Sequence, residues 1–426
     1  MIIVSTLQVT EAIRLRAIIV LLSCVLPLQV MGRGAIAGTL LLAFICFLSL
    51  SRKSSYFKNA FDAAWHPIGL MLLIMALSWI PNLLLSSDLT RSLQTGLRTF
   101  LFLGLGTLCW AVLVKNERLH GLFCRAFIIA SAISIFIALI AEIAVPELYW
   151  FINFKGWQNI PIGTAQKSFS ALALFMVPAL LWLGFRLRNR WNLLAVTSSI
   201  GFISLVGLTY NRAAIAGFLA MILVASVLVA CSNRSRIIRI ALPIAALIIS
   251  LVIMIWLNMT RQRPGFEGDW FLPLWLVDFP RQSIWRFAFE LVQQHFWFGL
   301  GINTINFAPG ANAIIPGSIG DLKVIPSHPH NWILEITAET GVFGVLSLLG
   351  VIAASFINMI QKFFQNDDNA YLIAICISVG YWVSGLFNFS FWSAWWQMSY
   401  LLITALCLSQ KSNLNLSKIE NARPQS

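Results

Sequence analysis

Long apolar stretches alternate with short polar breaks along the whole chain. Twelve stand out, near residues 17–31, 35–50, 67–86, 97–114, 122–144, 169–185, 193–210, 213–231, 238–257, 333–360, 371–387 and 391–409. Crossing a hydrocarbon core about 30 Å thick takes about 20 residues of helix. The pattern therefore predicts an all-α, polytopic integral membrane protein with about 12 transmembrane helices, the first two short enough to form a tight hairpin. A membrane barrel would instead show alternating segments of about 10 residues. Between the ninth and tenth stretches lies one long connection. The chain thus divides into helices one to nine (1–257), a large loop (258–330), helices ten to twelve (331–410) and a polar tail (411–426). Within the loop, Ile284, Trp285, Ala288, Phe289, Val292 and Phe296 recur at helical spacing, with Gln282, Arg286, Gln293 and Gln294 opposite. That pattern predicts an amphipathic helix lying on the membrane surface.

Composition agrees: hydrophobic residues make up 59% and charged residues 11% of the chain, against about a quarter charged in soluble domains. The net charge of +13 would suggest nucleic acid in a soluble protein. Here the cations fall at the N-terminus (Arg14 and Arg16) and in every second loop, at Arg52, Lys53 and Lys58, at Lys115, Arg118 and Arg125, at Arg186, Arg188 and Arg190, at Arg234, Arg236 and Arg239, at Lys362, and at Lys411, Lys418 and Arg423. Cytoplasmic loops collect Lys and Arg, so both termini are expected inside and the 258–330 loop outside, with no nucleic-acid partner. The cations left outside include Arg91, Arg98, Lys155, Lys167, Arg212, Arg261, Arg263, Arg281, Arg286 and Lys323. Such a cluster suits an anionic head group or diphosphate. The 7 cysteines fall in or beside apolar stretches without metal or redox spacing. Glu11 interrupts any leader at the N-terminus.

Three local features carry candidate chemistry. Arg212 in TYNRAAIAG opens a span; it is either an arginine snorkelling to the interface or a planar fork for phosphate oxygens. Arg281 and Arg286 lie on the loop helix and have the same two readings. In SHPHNWILEITAETGVFG (327–344), Pro326 and Pro329 disfavour helix before them. Asn331 is placed as an N-cap, and Glu335 and Glu339 share a helix face four residues apart. A histidine here can take a proton from a hydroxyl near neutral pH. His328 and His330 as a metal pair lack a cysteine or near carboxylate to complete the set. The glutamates either orient neighbours or anchor to the outer arginines. The aromatic run FWSAWW (391–396) either lines a lipid or sugar groove or forms an interfacial belt.

These residues resemble the superfamily of bacterial O-antigen ligases and polymerases. His330-Asn331, nine residues, Gly341, two residues and Gly344 match its histidine motif in register. Arg281 and Trp285 followed by FGLG (298–301) are similar to its Arg-x-x-x-Trp and Gly-x-Gly stretch, and YNRAAIAG (210–217) to its arginine segment. The resemblance implies a glycosyltransferase that acts at the periplasmic face of the inner membrane. It would move a glycan from undecaprenyl diphosphate to an acceptor hydroxyl without metal or other cofactor. The acceptor is lipid A–core oligosaccharide in a ligase and another carrier-linked glycan in a polymerase; related members glycosylate proteins. On this reading Arg212 and Arg281 stabilise the leaving diphosphate, with Arg286 and Lys167 as further contacts. His330 activates the acceptor, and Asn331, His328, Glu335 and Glu339 bind or orient around it. A transporter would show broken helices and ionisable groups at mid-membrane; here the strong polar residues sit at helix ends.

Overall fold

The computed structural model describes residues 2–64, 67–156, 160–233, 235–259, 277, 279–315, 322–366 and 369–409. Arg234, Arg261, Arg263, the remainder of 260–276, residue 278 and the tail with Lys411, Lys418 and Arg423 lie outside the described residues. Eighteen α-helices account for nearly all of it. The first ten are α1 (Ile2–Cys24), α2 (Arg33–Leu48), α3 (Lys53–Ala64), α4 (Pro67–Ser78), α5 (Ile80–Leu85), α6 (Leu89–Lys115), α7 (His120–Ile143), α8 (Pro146–Ile152), α9 (Ile162–Ala165) and α10 (Lys167–Ala171). The others are α11 (Ala173–Leu187), α12 (Asn189–Leu208), α13 (Arg212–Ser232), α14 (Arg236–Met259), α15 (Phe279–Gln294), α16 (Trp332–Asn366), α17 (Asn369–Ser384) and α18 (Ala394–Ser409).

Each of the twelve apolar stretches is mainly helical. Among the described residues, seven helices are long and apolar enough to cross a membrane, or eight if α2 and α3, bent by 116°, form one span. Many large apolar side chains point outward, among them Leu101, Phe136, Ile203 and Ile248. Soluble monomers rarely expose continuous apolar patches beyond a few hundred Å², so this belt fits lipid and a multi-pass membrane protein.

The centre of the bundle is α11. Leu172 to Met176 are fully buried, as a helix apolar on every side must be. It packs on α12, α7, α17 and α18, while α13 packs on α17 and α6 on α18. In contrast, α14 touches mainly α13 and turns most of its surface outward.

At one end, α15 and the segment after it form a folded cap. Ile284, Trp285, Ala288, Leu291 and Val292 pack with Leu300, Ile305, Ile325 and Ala338 of α16. The expected membrane-surface helix is corrected here: apart from Phe289 and Phe296, its apolar face covers protein rather than lipid. A non-polar stripe alone does not say which apolar neighbour it meets. The aromatic run 391–396 is corrected too. Phe391, Trp392, Trp395 and Trp396 are buried, with Trp392 edge-on to Trp79 and Trp396 stacked on Tyr381. The three tryptophans form no interfacial belt, while Phe391 lines a cavity with Tyr381, Trp382 and Tyr400.

Candidate functional site

The site is built on a break in α16. At Gly341 the backbone leaves the helical region (φ 70°, ψ −175°), a left-handed geometry that glycine adopts without Cβ strain. The extra space is used at once. Gly299, also left-handed at φ 73°, crosses the break backbone to backbone. Leu300 and Gly301 N–H donate to the Ala338 and Glu339 carbonyls at 3.0 and 3.1 Å, and Val342 N–H donates to Phe296 at 2.8 Å. A Cβ on Gly341 would meet the Trp297 carbonyl, and one on Gly299 the Glu339 carbonyl. The two glycine motifs of the sequence are therefore two sides of one contact. Asn82 of α5, fully buried, stitches it: its amide donates to the Phe298 and Glu339 carbonyls and its oxygen accepts from Ile302 N–H.

The contrast between two glycines of α16 tests this arrangement. Gly341→Ala should cost about 1–2 kcal/mol for a left-handed alanine and roughly 1–3 kcal/mol more for overpacking. Gly350, with open space around its Cβ position, should gain about 0.5–1 kcal/mol on becoming alanine. Thermal unfolding of both variants in detergent checks the opposite signs.

Glu335 and Glu339 do share a face, and both are buried. Glu339 accepts from Asn303 N–H (2.8 Å), Ile305 N–H (3.0 Å) and the Trp392 indole. Glu335 accepts from Ser390 Oγ–H (2.6 Å) and Phe391 N–H (2.7 Å). The carboxylates thus tie the cap and the α17–α18 turn to α16, and the partners named are backbone, hydroxyl and indole groups rather than arginines. Arg91 and Arg98 are likewise drawn into packing, donating to the Asn303 and Trp392 carbonyls at 2.7 Å each.

Asn331 caps α16, its oxygen accepting from Ile333 and Leu334 N–H at 3.0 and 3.2 Å. Just before it, His330 has φ 56°, a conformation that non-glycine residues rarely hold and that clusters at functional sites. Two contacts secure it. Its N–H donates to His328 Nδ1 at 3.1 Å, and its own Nδ1 lies 2.8 Å from the Asn388 carbonyl. A carbonyl only accepts, so Nδ1 carries the hydrogen and the lone pair of the neutral ring resides on Nε2. The preceding Pro329 carbonyl accepts from the Trp285 indole at 3.0 Å. Arg281 lies one turn earlier on α15, on the same face as Trp285, which explains the Arg-x-x-x-Trp spacing.

His328 is a positioning residue in this arrangement, its ring centroid 4.1 Å from that of His330. Burial, the neighbouring His330 ring and the Arg33 guanidinium push its pKa from the ordinary 6.5 down to about 3. The neutral form is thus favoured by folding. The stability this contributes is present above the unfolded value and lost as pH falls from about 6.5 towards about 3. His328→Asn, whose amide oxygen can still accept from His330 N–H, should flatten the acid side of a melting-temperature profile; an unchanged slope would contradict the assignment.

The cations complete the site. Asn211, buried at the N-cap of α13, accepts from Ala214 N–H at 3.2 Å and donates to Ser170 Oγ at 3.0 Å and the Lys167 carbonyl at 3.1 Å. This clamps α10 against the start of α13, so Lys167 and Arg212 come together. Partial burial and the nearby Arg281 and Arg212 guanidinium groups hold the Lys167 ammonium below its ordinary value. Three cations predicted from separate parts of the sequence therefore converge. No carboxylate pairs with the side chains of Lys167 or Arg212 among the described residues. Arg286 is exposed on α15, five residues beyond Arg281. Sequence reasoning missed Asn82, Asn388 and Ser170: the first gave only a weak signal, an amide after proline in an apolar run, and Asn388 acts through its backbone.

Residues 197–349 match the family model described as O-Antigen ligase. A protein named "Putative polysaccharide ligase RP358" from Rickettsia prowazekii is 27% identical over 132 residues, 30% of this chain and 31% of the relative. A Rickettsia typhi relative with the same kind of name is 26% identical over 132 residues, again 30% and 31% of the two chains. One from Rickettsia bellii is 28% identical over 87 residues, 19% of each. The matched stretches span about a third or less of the length of these relatives. The family match encloses Arg212, Arg281, Arg286, both site histidines and both buried glutamates, and leaves Arg33, Lys167 and Asn388 outside. Over that segment the chain is similar to the O-antigen ligase family and to proteins named as putative polysaccharide ligases.

Proposed function

We propose that this protein is an O-antigen ligase. It transfers a glycan from undecaprenyl diphosphate to a hydroxyl of lipid A–core oligosaccharide at the periplasmic face of the bacterial inner membrane, with both termini cytoplasmic. The observation that carries this reading is the gathering of Lys167, Arg212 and Arg281, the last on the helix whose Trp285 indole donates to the Pro329 carbonyl next to His330. Lys167 and Arg212, held near each other with no carboxylate pairing their side chains among the described residues, are costly to keep together unless an anion joins them. A diphosphate, with charge growing on its leaving oxygen, is stabilised by such preorganised cations.

In the proposed step, the acceptor O–H gives its proton to His330 Nε2 as its oxygen bonds the anomeric carbon. The bond from that carbon to the phosphate oxygen breaks, and undecaprenyl diphosphate leaves with the electron pair. His328 and the Asn388 carbonyl hold the His330 ring; Asn331, Glu335 and Glu339 hold the backbone that carries it. Arg286 provides a further contact to the donor. The positive charge comes from side chains, so a chelator should leave transfer intact.

A deletion strain separates the possible acceptors. A ligase leaves long glycan stranded on the polyprenyl carrier and bare core on lipid A. Core bearing one repeat would identify a polymerase instead, and unaltered lipopolysaccharide would rule out both.

A further inference from the structure

A fourth cation, Arg33, stands at the start of α2 and has no part in the diphosphate cluster. It is exposed, and no carboxylate pairs with it among the described residues. Its position is nonetheless built. The turn before it is pinned to α8 by Asn153, whose amide donates to the Val30 carbonyl at 3.1 Å. Its guanidinium lies 5.4 Å over the Trp395 ring, and Trp395 is itself buried. Trp395 packs edge-on to Phe389 at 4.8 Å, the neighbour of Asn388, whose carbonyl holds His330. Arg33 therefore reaches the histidine pair along one set of contacts, from α2 and the α17–α18 turn. Arg281 approaches along another, one turn from Trp285, whose indole donates to the Pro329 carbonyl, with Lys167 and Arg212 grouped near it.

The electrostatic partners divide the same way. Arg33 acts on His328, whereas Lys167 feels Arg281 and Arg212. The cations of the site thus fall into two groups. One is matched to the donor diphosphate. The other needs a different anion, and a planar guanidinium stacked on an indole presents its edge for bidentate contact with phosphate or carboxylate.

We propose that Arg33 binds an anionic substituent of the acceptor, a phosphate or a carboxylate, beside the histidine pair and separately from Lys167, Arg212 and Arg281. The proposal rests on the ligase reading of the site and makes Arg33 a specificity-determining residue for acceptors that carry such a group.

The test uses the full-length protein in nanodiscs and three forms of one lipid-linked core oligosaccharide: untreated, stripped by phosphatase, and with its carboxylates methyl-esterified. Affinity is measured by calorimetry with no donor present. The wild type should bind the untreated acceptor more tightly than one of the two treated forms, which names the group. Arg33→Ala should cut that preference about 10- to 100-fold, the loss of one charge-assisted contact. Arg33→Gln, which keeps a planar amide over Trp395, should lose it too, and Arg33→Lys should recover part of it. An untreated-to-treated ratio that is the same in wild type and both neutral variants overturns the Arg33 assignment, as does a wild type without preference. Donor is then added: wild-type protein that binds acceptor but transfers nothing overturns the ligase reading separately.

Discussion

His330→Ala should lower glycan transfer about 100- to 10,000-fold, the range for removing a general acid–base group. Donor binding should change little, because the variant leaves Lys167, Arg212 and Arg281 in place. The loss should therefore appear in kcat rather than in the KM for donor. A variant of Asn388 will not mimic it, since the contact is made by the backbone carbonyl. The measurement is transfer by purified protein, at wild-type amounts in the membrane, from polyprenyl-diphosphate-linked glycan to core acceptor. Full activity in His330→Ala would remove the histidine from the mechanism and leave its left-handed backbone without a role.

The second large effect belongs to Arg212. Removing one preorganised group that faces developing charge typically costs about 100- to 1,000-fold in kcat, and Arg212→Ala should fall in that range. Arg212→Lys should recover only part, because an ammonium lacks the fork that meets two phosphate oxygens together. The variant also has a built-in internal check. Lys167 would lose one of its two repelling neighbours, so its amine should titrate at higher pH and react more slowly with an amine-selective reagent at pH 9 than in the wild type. Unchanged kinetics in Arg212→Ala would return this side chain to a simple interfacial arginine.

Much of this was readable in the sequence, for identifiable reasons. Helices follow from apolar runs whose length matches a bilayer, and each of the twelve runs is mainly helical. The pairing of Arg281 with Trp285 and the N-cap at Asn331 follow from helical spacing and cap chemistry, both local. What could not be read were contacts between distant segments. Trp392 and Trp396 have the composition of an interfacial belt, but α18 turns them inward, and no local pattern distinguishes the two. The apolar face of α15 looked like a membrane contact because lipid and protein interior attract the same side chains. Gly299 and Gly341 each looked like a place of close approach, but that they approach each other depends on the cap folding back over α16. Glu335 and Glu339 suggest orienting groups or anchors to the outer arginines, but their named partners are backbone N–H groups, a hydroxyl and an indole far along the chain.

The dependence of His330 on Asn388 also bears on when the enzyme becomes competent. Synthesis delivers the cations early: Arg33, Lys167, Arg212 and Arg281 all precede the histidine segment. The carbonyl that fixes the imidazole tautomer arrives only with residue 388, and the glutamate anchors at Ser390 and Phe391 follow it. A nascent or truncated chain that ends before residue 388 would carry all four cations without the carbonyl that sets the His330 ring. The order of synthesis thus sets the imidazole last, after every cation of the site is already in the chain.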